Sequence, residues 1–274
     1  MCRFYPGKIL LMRLLASTGA ILFAACSSNP PSSGAFNHGA FDQVLSADVN
    51  DQGWVDYAGL QSNRTALDTY RKTLATASPQ GFSNEAERLA FWINAYNAHT
   101  LADVLDDVYK KAKGVKEVNG FFDQKKHRVA GEDLTLNEIE KHGRDLKDPR
   151  LHFAVVCAST SCPKLQRFAF TGPQLEEQLT KIAHDFLADP SRGMRVDKDR
   201  GEVNLSSIFK WYAGDFTMSS PVLARVRAEV SGSEVLEYVK KYAPADAVQF
   251  ITAENPRVKY LDYDWSLNAQ ENHQ

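Results

Sequence analysis

The sequence predicts a helix-rich α+β fold: one domain with a small β-sheet. Three observations carry this expectation. Apolar residues recur three or four apart over long stretches, short β-like runs lie between those stretches, and no second Pro/Ser/Gly-rich linker divides residues 40–268. Roughly 230 residues of ordinary apolar content suffice for one large core.

The chain of 274 residues opens with 25 that contain no acidic residue, carry Arg3, Lys8 and Arg13, and run into the apolar stretch 14–25. This is the pattern of an export signal, too short and too abruptly ended for a spanning helix, which needs roughly 20 apolar residues. Its end, "LFAAC", resembles the lipobox of bacterial lipoproteins, which implies cleavage before Cys26 and lipidation of its thiol. Ser27 after the cysteine favours, by the same resemblance, the outer membrane with the domain facing the periplasm. Met12 is an alternative start that would give a shorter signal. Residues 26–38, rich in Ser, Pro, Gly and Asn, read as a flexible tether, 39–268 as the globular domain and 269–274 as a polar tail.

Helical spacing is expected in "NRTALDTYRKTLATA", "NEAERLAFWINAYNAHTLADVLDDVYKKAK", "TLNEIEKHGRDL", "GPQLEEQLTKIAHDFLAD" and "SSPVLARVRAEVSGSEVLEYVKKY", each opened by a cap-like Asn, Thr, Gly or Ser. Strands are expected in "HRVAG", "LHFAVVC", "MRVD", "EVNL" and "VKYLDYDW". Removing the signal takes away three of 32 basic residues and none of 34 acidic ones, leaving 29 against 34, a formal charge of −5. No basic block remains to follow a phosphate backbone, so nucleic acid is not expected as a partner.

A turn of about 100° per residue puts Glu85, Arg88, His99, Asp103, Asp106 and Asp107 on one side of the longest helix, expected to be solvated. Asn94 and Asn97 fall on the opposite, apolar side. Buried amides without partners cost about 1–3 kcal/mol each, so these two must bond something specific. Either they hold neighbouring loop backbone or they line a pocket and orient a substrate or catalytic group.

Once Cys2 and Cys26 are set aside, Cys157 and Cys162 are the remaining thiol pair. In an oxidising periplasm a disulfide is the default. Bonding requires Cα atoms within about 7 Å, so a strand must end at Cys157 and residues 158–161 must turn back. So short a loop gains about 2 kcal/mol or less by chain entropy. Three rivals stay open. A redox couple would resemble C-x-x-C only loosely. A cysteine nucleophile would use His152, His142 or His127 as base and an asparagine as orienter, as in papain-like or transglutaminase-like sites. Zinc would need more than C-x4-C with no second paired motif. No metal or cofactor is assigned.

The stretches "LAFWINAYNAHTL", "LNEIEKHGRDLKDPRLHFAVVCASTSCP", "IFKWYAGDF" and "YLDYDWSLN" together resemble the family of bacterial envelope domains known as the domain of unknown function 547. The resemblance implies marked positions rather than a mechanism. They include Trp92, Asn94, Tyr96 and Asn97; Glu140, Arg150 and His152; the two cysteines; Trp211, Tyr212 and Asp215; and Tyr263, Asp264 and Trp265. Physically they form either a polar network that locks irregular segments to the core or a single cleft. The expected function is a lipid-anchored envelope module that binds an envelope protein or a small molecule. The alternative is a thiol-dependent enzyme, with Cys157, Cys162, His152, Asn94 and Asn97 as candidate catalytic residues.

Overall fold

The longest helical pattern becomes the spine of the fold. In this computed structural model the described residues are 35–78, 81–217 and 232–273; the signal, Cys26, most of the tether and the first half of the helix expected over 219–242 lie outside them. Residues 33–274 form one compact unit.

Helices α1 (Gly39–Asp48), α2 (Tyr57–Ser62) and α3 (Arg64–Ala75) precede α4 (Glu85–Asp103). The Asn84 side chain accepts the Glu87 N–H and caps α4. The helix ends in a π turn, Val104–Val108, closed by Tyr109 N–H on the Val104 carbonyl at 2.7 Å. Both flanks of α4 are apolar. Tyr96, Ala98 and Leu101 join a cluster built with α1 to α3, whereas Leu89, Ala90 and Ile93 join a second one. From Leu89 to Asp103 every residue is buried, so that stretch carries no solvent face.

Of the expected solvated side, Glu85 is exposed and Arg88, Asp106 and Asp107 are partly so, but its middle is corrected: His99 and Asp103 are buried. Helix α3 covers them from one direction, with Arg71 Nε donating to His99 Nδ1 at 3.1 Å. The hairpin of β1 (His127–Val129) and β2 (Glu132–Leu134) covers them from the other. Lys125 Nζ and His127 Nε2 stand 2.8 and 2.9 Å from the two Asp103 oxygens, pairing by charge rather than along straight hydrogen bonds.

Helix α5 (Leu136–Arg144) starts in a capping box between Thr135 and Glu138 and packs against α4. The run "LHFAVVC", expected as a strand, is not one. Asp148 accepts the Arg150 N–H and Pro149 opens a 3-10 turn, Pro149–Phe153. Beyond it the chain is irregular, and a side chain takes the place of a partner strand, as described below.

Helix α6 (Leu175–Ala188) follows the 3-10 turn Gly172–Gln174 and leads to a three-stranded sheet. In it β3 (Met194–Asp197) pairs antiparallel with β4 (Glu202–Leu205), which pairs parallel with β5 (Arg257–Tyr260), Val203 opposite Val258. Parallel neighbours need a long crossover. Helices α7 (Ile208–Trp211), α8 (Ala213–Phe216), α9 (Gly232–Val239) and α10 (Ala245–Glu254) lie within it. The helix-rich α+β expectation holds, with two small sheets rather than one.

Only the start of "VKYLDYDW" is a strand. From residue 261 the chain forms a strap along the cysteine loop: Thr160 N–H bonds Ser266 O at 2.8 Å and Asn268 N–H bonds Ala158 O at 3.1 Å. The domain also exceeds 39–268 at both ends. Phe36 packs edge-on to Phe91, and His38 bonds the Tyr70 hydroxyl. At the other end Ala269 bridges to Val55 and His273 stacks on Trp54. Those apolar and aromatic contacts tie down segments whose polar composition suggested solvent.

Candidate functional site

Two buried amides on α4 set the walls of the site without entering it. Asn94 holds both backbone groups of Phe170, donating to its carbonyl at 2.7 Å and accepting its N–H at 3.0 Å. Asn97 donates to Ala154 O and accepts Val156 N–H, both at 2.9 Å. Each amide thus substitutes for a neighbouring strand. This is why residues 154–156 need none, and why Asn97, one turn on from Asn94, fixes the approach to Cys157.

Cys157 and Cys162 are joined as a disulfide with Cα atoms 6.4 Å apart. The chain turns back at Ala158, whose φ of +63° lies in the left-handed region that L residues seldom occupy. Ser161 N–H bonds Asp264 O and Asp264 N–H bonds Ser161 Oγ, which pins the strap to the loop. The strap then lays the Tyr263 hydroxyl 3.4 and 3.3 Å from the two sulfurs, and Ser159 Oγ donates to that hydroxyl at 3.1 Å. Burial pushes the Tyr263 phenol up to about 12, so it stays protonated.

Around the disulfide opens a cleft of about 790 Å3, within the range of about 300–1,000 Å3 usual for ligand pockets. Tyr96 from α4, Glu140 from α5, His152 from the 3-10 turn, Trp211 and Tyr212 around α7, and Tyr263 and Trp265 from the strap all line it. Trp211 is 48% exposed, the one large apolar side chain on the described surface to be so. Its ring lies 5.6 Å from Trp265 at 25° and 4.7 Å from Tyr263.

The deep wall is polar. Glu140 is buried, and that burial raises its carboxyl above the ordinary range despite the opposing charges of His152 and Arg144 and a hydrogen bond with Tyr212. Among the described residues no cation is ion-paired to it. The two nearby basic groups are committed to Asp215: His152 Nε2 at 2.9 Å and Arg144 Nε at 2.7 Å from Oδ2. Burial opposes ionisation of Asp215, yet these two bonds hold its carboxyl well below the usual range. Burial and the Glu140 charge push the Tyr212 phenol up, and His152 stacks on its ring at 4.0 Å.

Several candidates stand apart from the cleft lining. Trp92 stacks on His142 at 4.3 Å, and His127 faces Asp103. Arg150 binds Asp148 and reaches across to Glu176 and Thr180 on α6. Asp264 accepts the Ser266 N–H within the strap. The histidine of the cleft, His152, is bonded to a carboxylate rather than to a sulfur. Sequence reasoning missed the loop 115–123, which supplies Val115, Lys116, Phe121, Phe122 and Asp123 to the lining. The adjacent pair Phe121–Phe122 in a polar stretch was the available signal. Among the described residues no three His, Cys, Asp or Glu side chains converge as a metal site.

Residues 79–187 match the family model described as "Protein of unknown function, DUF547". No curated protein and no solved structure matches the chain. The matched span contains α4, α5, the cysteine loop and α6, and it stops short of residues 208–216 and 260–268, which close the cleft in the structure.

Proposed function

We propose, starting from the match of residues 79–187 to the DUF547 family model, that the chain is an envelope lipoprotein whose domain binds a ligand in the Glu140 cleft, as a binding or accessory module. One observation carries the binding part. The cleft gathers exposed and half-buried aromatics over a buried carboxyl with no bonded cation, while its sulfurs are bonded to each other and its histidine to Asp215. A pocket that joins aromatic rings to a polar wall, and has no reactive group set free, is suited to holding rather than transforming a ligand. The envelope part is supported by the export pattern and "LFAAC". Its test is fractionation: Cys26→Ser is expected to release the protein from the membrane fraction, and retention there would contradict the anchor.

A thiol-dependent enzyme is the second reading, and a specific feature favours it. The disulfide itself lines the cleft, so its reduction would present both thiols to a bound molecule, with His152 oriented by Asp215. Thiol counting on the purified full chain separates the two. No free thiol at Cys157 or Cys162 before reduction supports the binding module; two thiols that react rapidly with iodoacetamide at neutral pH overturn it.

A further inference from the structure

The cleft has a recognisable chemistry when its charges are followed to their partners. Its lining carries one ammonium, Lys116, and that nitrogen lies 4.6 Å over the Trp265 ring. His152 and the neighbouring Arg144 are both committed to Asp215. An anionic ligand therefore finds no unpaired cation at the deep wall. A cationic ligand finds the ring of Trp265 already occupied by Lys116, a Glu140 carboxyl that burial pushes up at the deep wall, and the Asp123 carboxylate only on the exposed loop.

The deep wall that remains is rich in hydroxyls. Tyr96, Tyr212 and Tyr263 each bring a phenol that burial keeps protonated, able both to donate and to accept. Beside them Trp211, packed at 4.7 Å on Tyr263 and at 5.6 Å on Trp265, is 48% exposed and offers an apolar ring surface to solvent. A pyranose ring has this same division, an apolar face of C–H groups and a rim of hydroxyls.

We propose that the cleft binds a neutral saccharide chain, one sugar face laid on the exposed Trp211 ring and its hydroxyls bonded to Glu140 and the three tyrosines. This rests on the cleft being a binding site. It adds the ligand class, and it makes Trp211, about half exposed, the ring that the sugar covers.

The test is a tryptophan-fluorescence titration of the purified full chain with three separate probes: an N-acetylglucosamine tetramer, choline and inorganic phosphate. A saturable change with the tetramer alone is expected. Trp211→Ala should weaken it at least tenfold, and Trp211→Phe should recover most of the loss, because a ring face is what the sugar needs. Trp211 is half exposed, so its replacement leaves the core intact, which thermal unfolding of each variant checks. No saturable response to the tetramer, or equal affinity in Trp211→Ala, overturns the saccharide. Saturation by choline or phosphate in its place overturns it too, while leaving the cleft a binding site. Free, reactive thiols in the counting experiment would overturn the binding module itself.

Discussion

Asp103 and Glu140 are both buried carboxyls, one near the end of α4 and the other on α5, yet their surroundings are opposite. Asp103 meets Lys125 and His127, and the Lys125 ammonium, although burial works against it, is pushed above its ordinary range by Asp103 and its neighbours Asp107 and Asp106. His99, neutral because burial and the charges of His127, Arg71 and Lys125 push its imidazole well down, completes the cluster. Glu140 has a tyrosine hydroxyl and two basic groups turned toward another acid. A buried charge with dedicated partners is a structural fixture. One left without them lowers the stability of the empty protein, and at a cleft wall that is the signature of a group kept for a ligand.

The same change of carboxylate to amide should act in opposite directions at the two places. Asp103→Asn takes the carboxylate away from buried His127 and leaves Lys125 only Asp106 and Asp107, and a loss of about 3 kcal/mol is expected in denaturant unfolding. A loss below about 1 kcal/mol would mean that the cluster is no fixture. Asn94→Leu sharpens the comparison with a neutral group. It strands the N–H and the carbonyl of Phe170 together, and should lower stability by about 2 kcal/mol or more. Unchanged thermal unfolding would show that those backbone groups find other partners.

How far the sequence disclosed this molecule differs between its parts. The long helix, the capped starts at Asn84 and Thr135 and the burial of Asn94 and Asn97 follow from local spacing, and all were legible. The 3-10 turn at 149–153 was not, because its apolar run reads as a strand until Asn97 is known to replace the strand's neighbour. The buried side of Asp103 was misread for a related reason. Its partners Lys125 and His127 lie on the approach to a hairpin and in the hairpin itself, distant in sequence, and helical periodicity carries no information about what another element brings. Nine of the residues that the family resemblance marked do line the cleft. The loop 115–123 offered only the Phe121–Phe122 pair as a signal, since its place there is set by packing against the strap, where Gly114 leaves no room for a Cβ beside the Trp265 carbonyl.

The smallest expected effect tests the account most directly. A carboxyl raised in the folded state contributes stability that is full below its unfolded pKa, about 4.3, and is lost as the pH rises through the folded value. Glu140→Gln removes that loss. Measured by urea unfolding, the variant should match the wild type near pH 4 and exceed it by up to about 1 kcal/mol at pH 8. A variant less stable than the wild type at pH 8, or a difference that does not change between the two pH values, would show that the Glu140 charge is compensated as that of Asp103 is, and would contradict its assignment to a ligand.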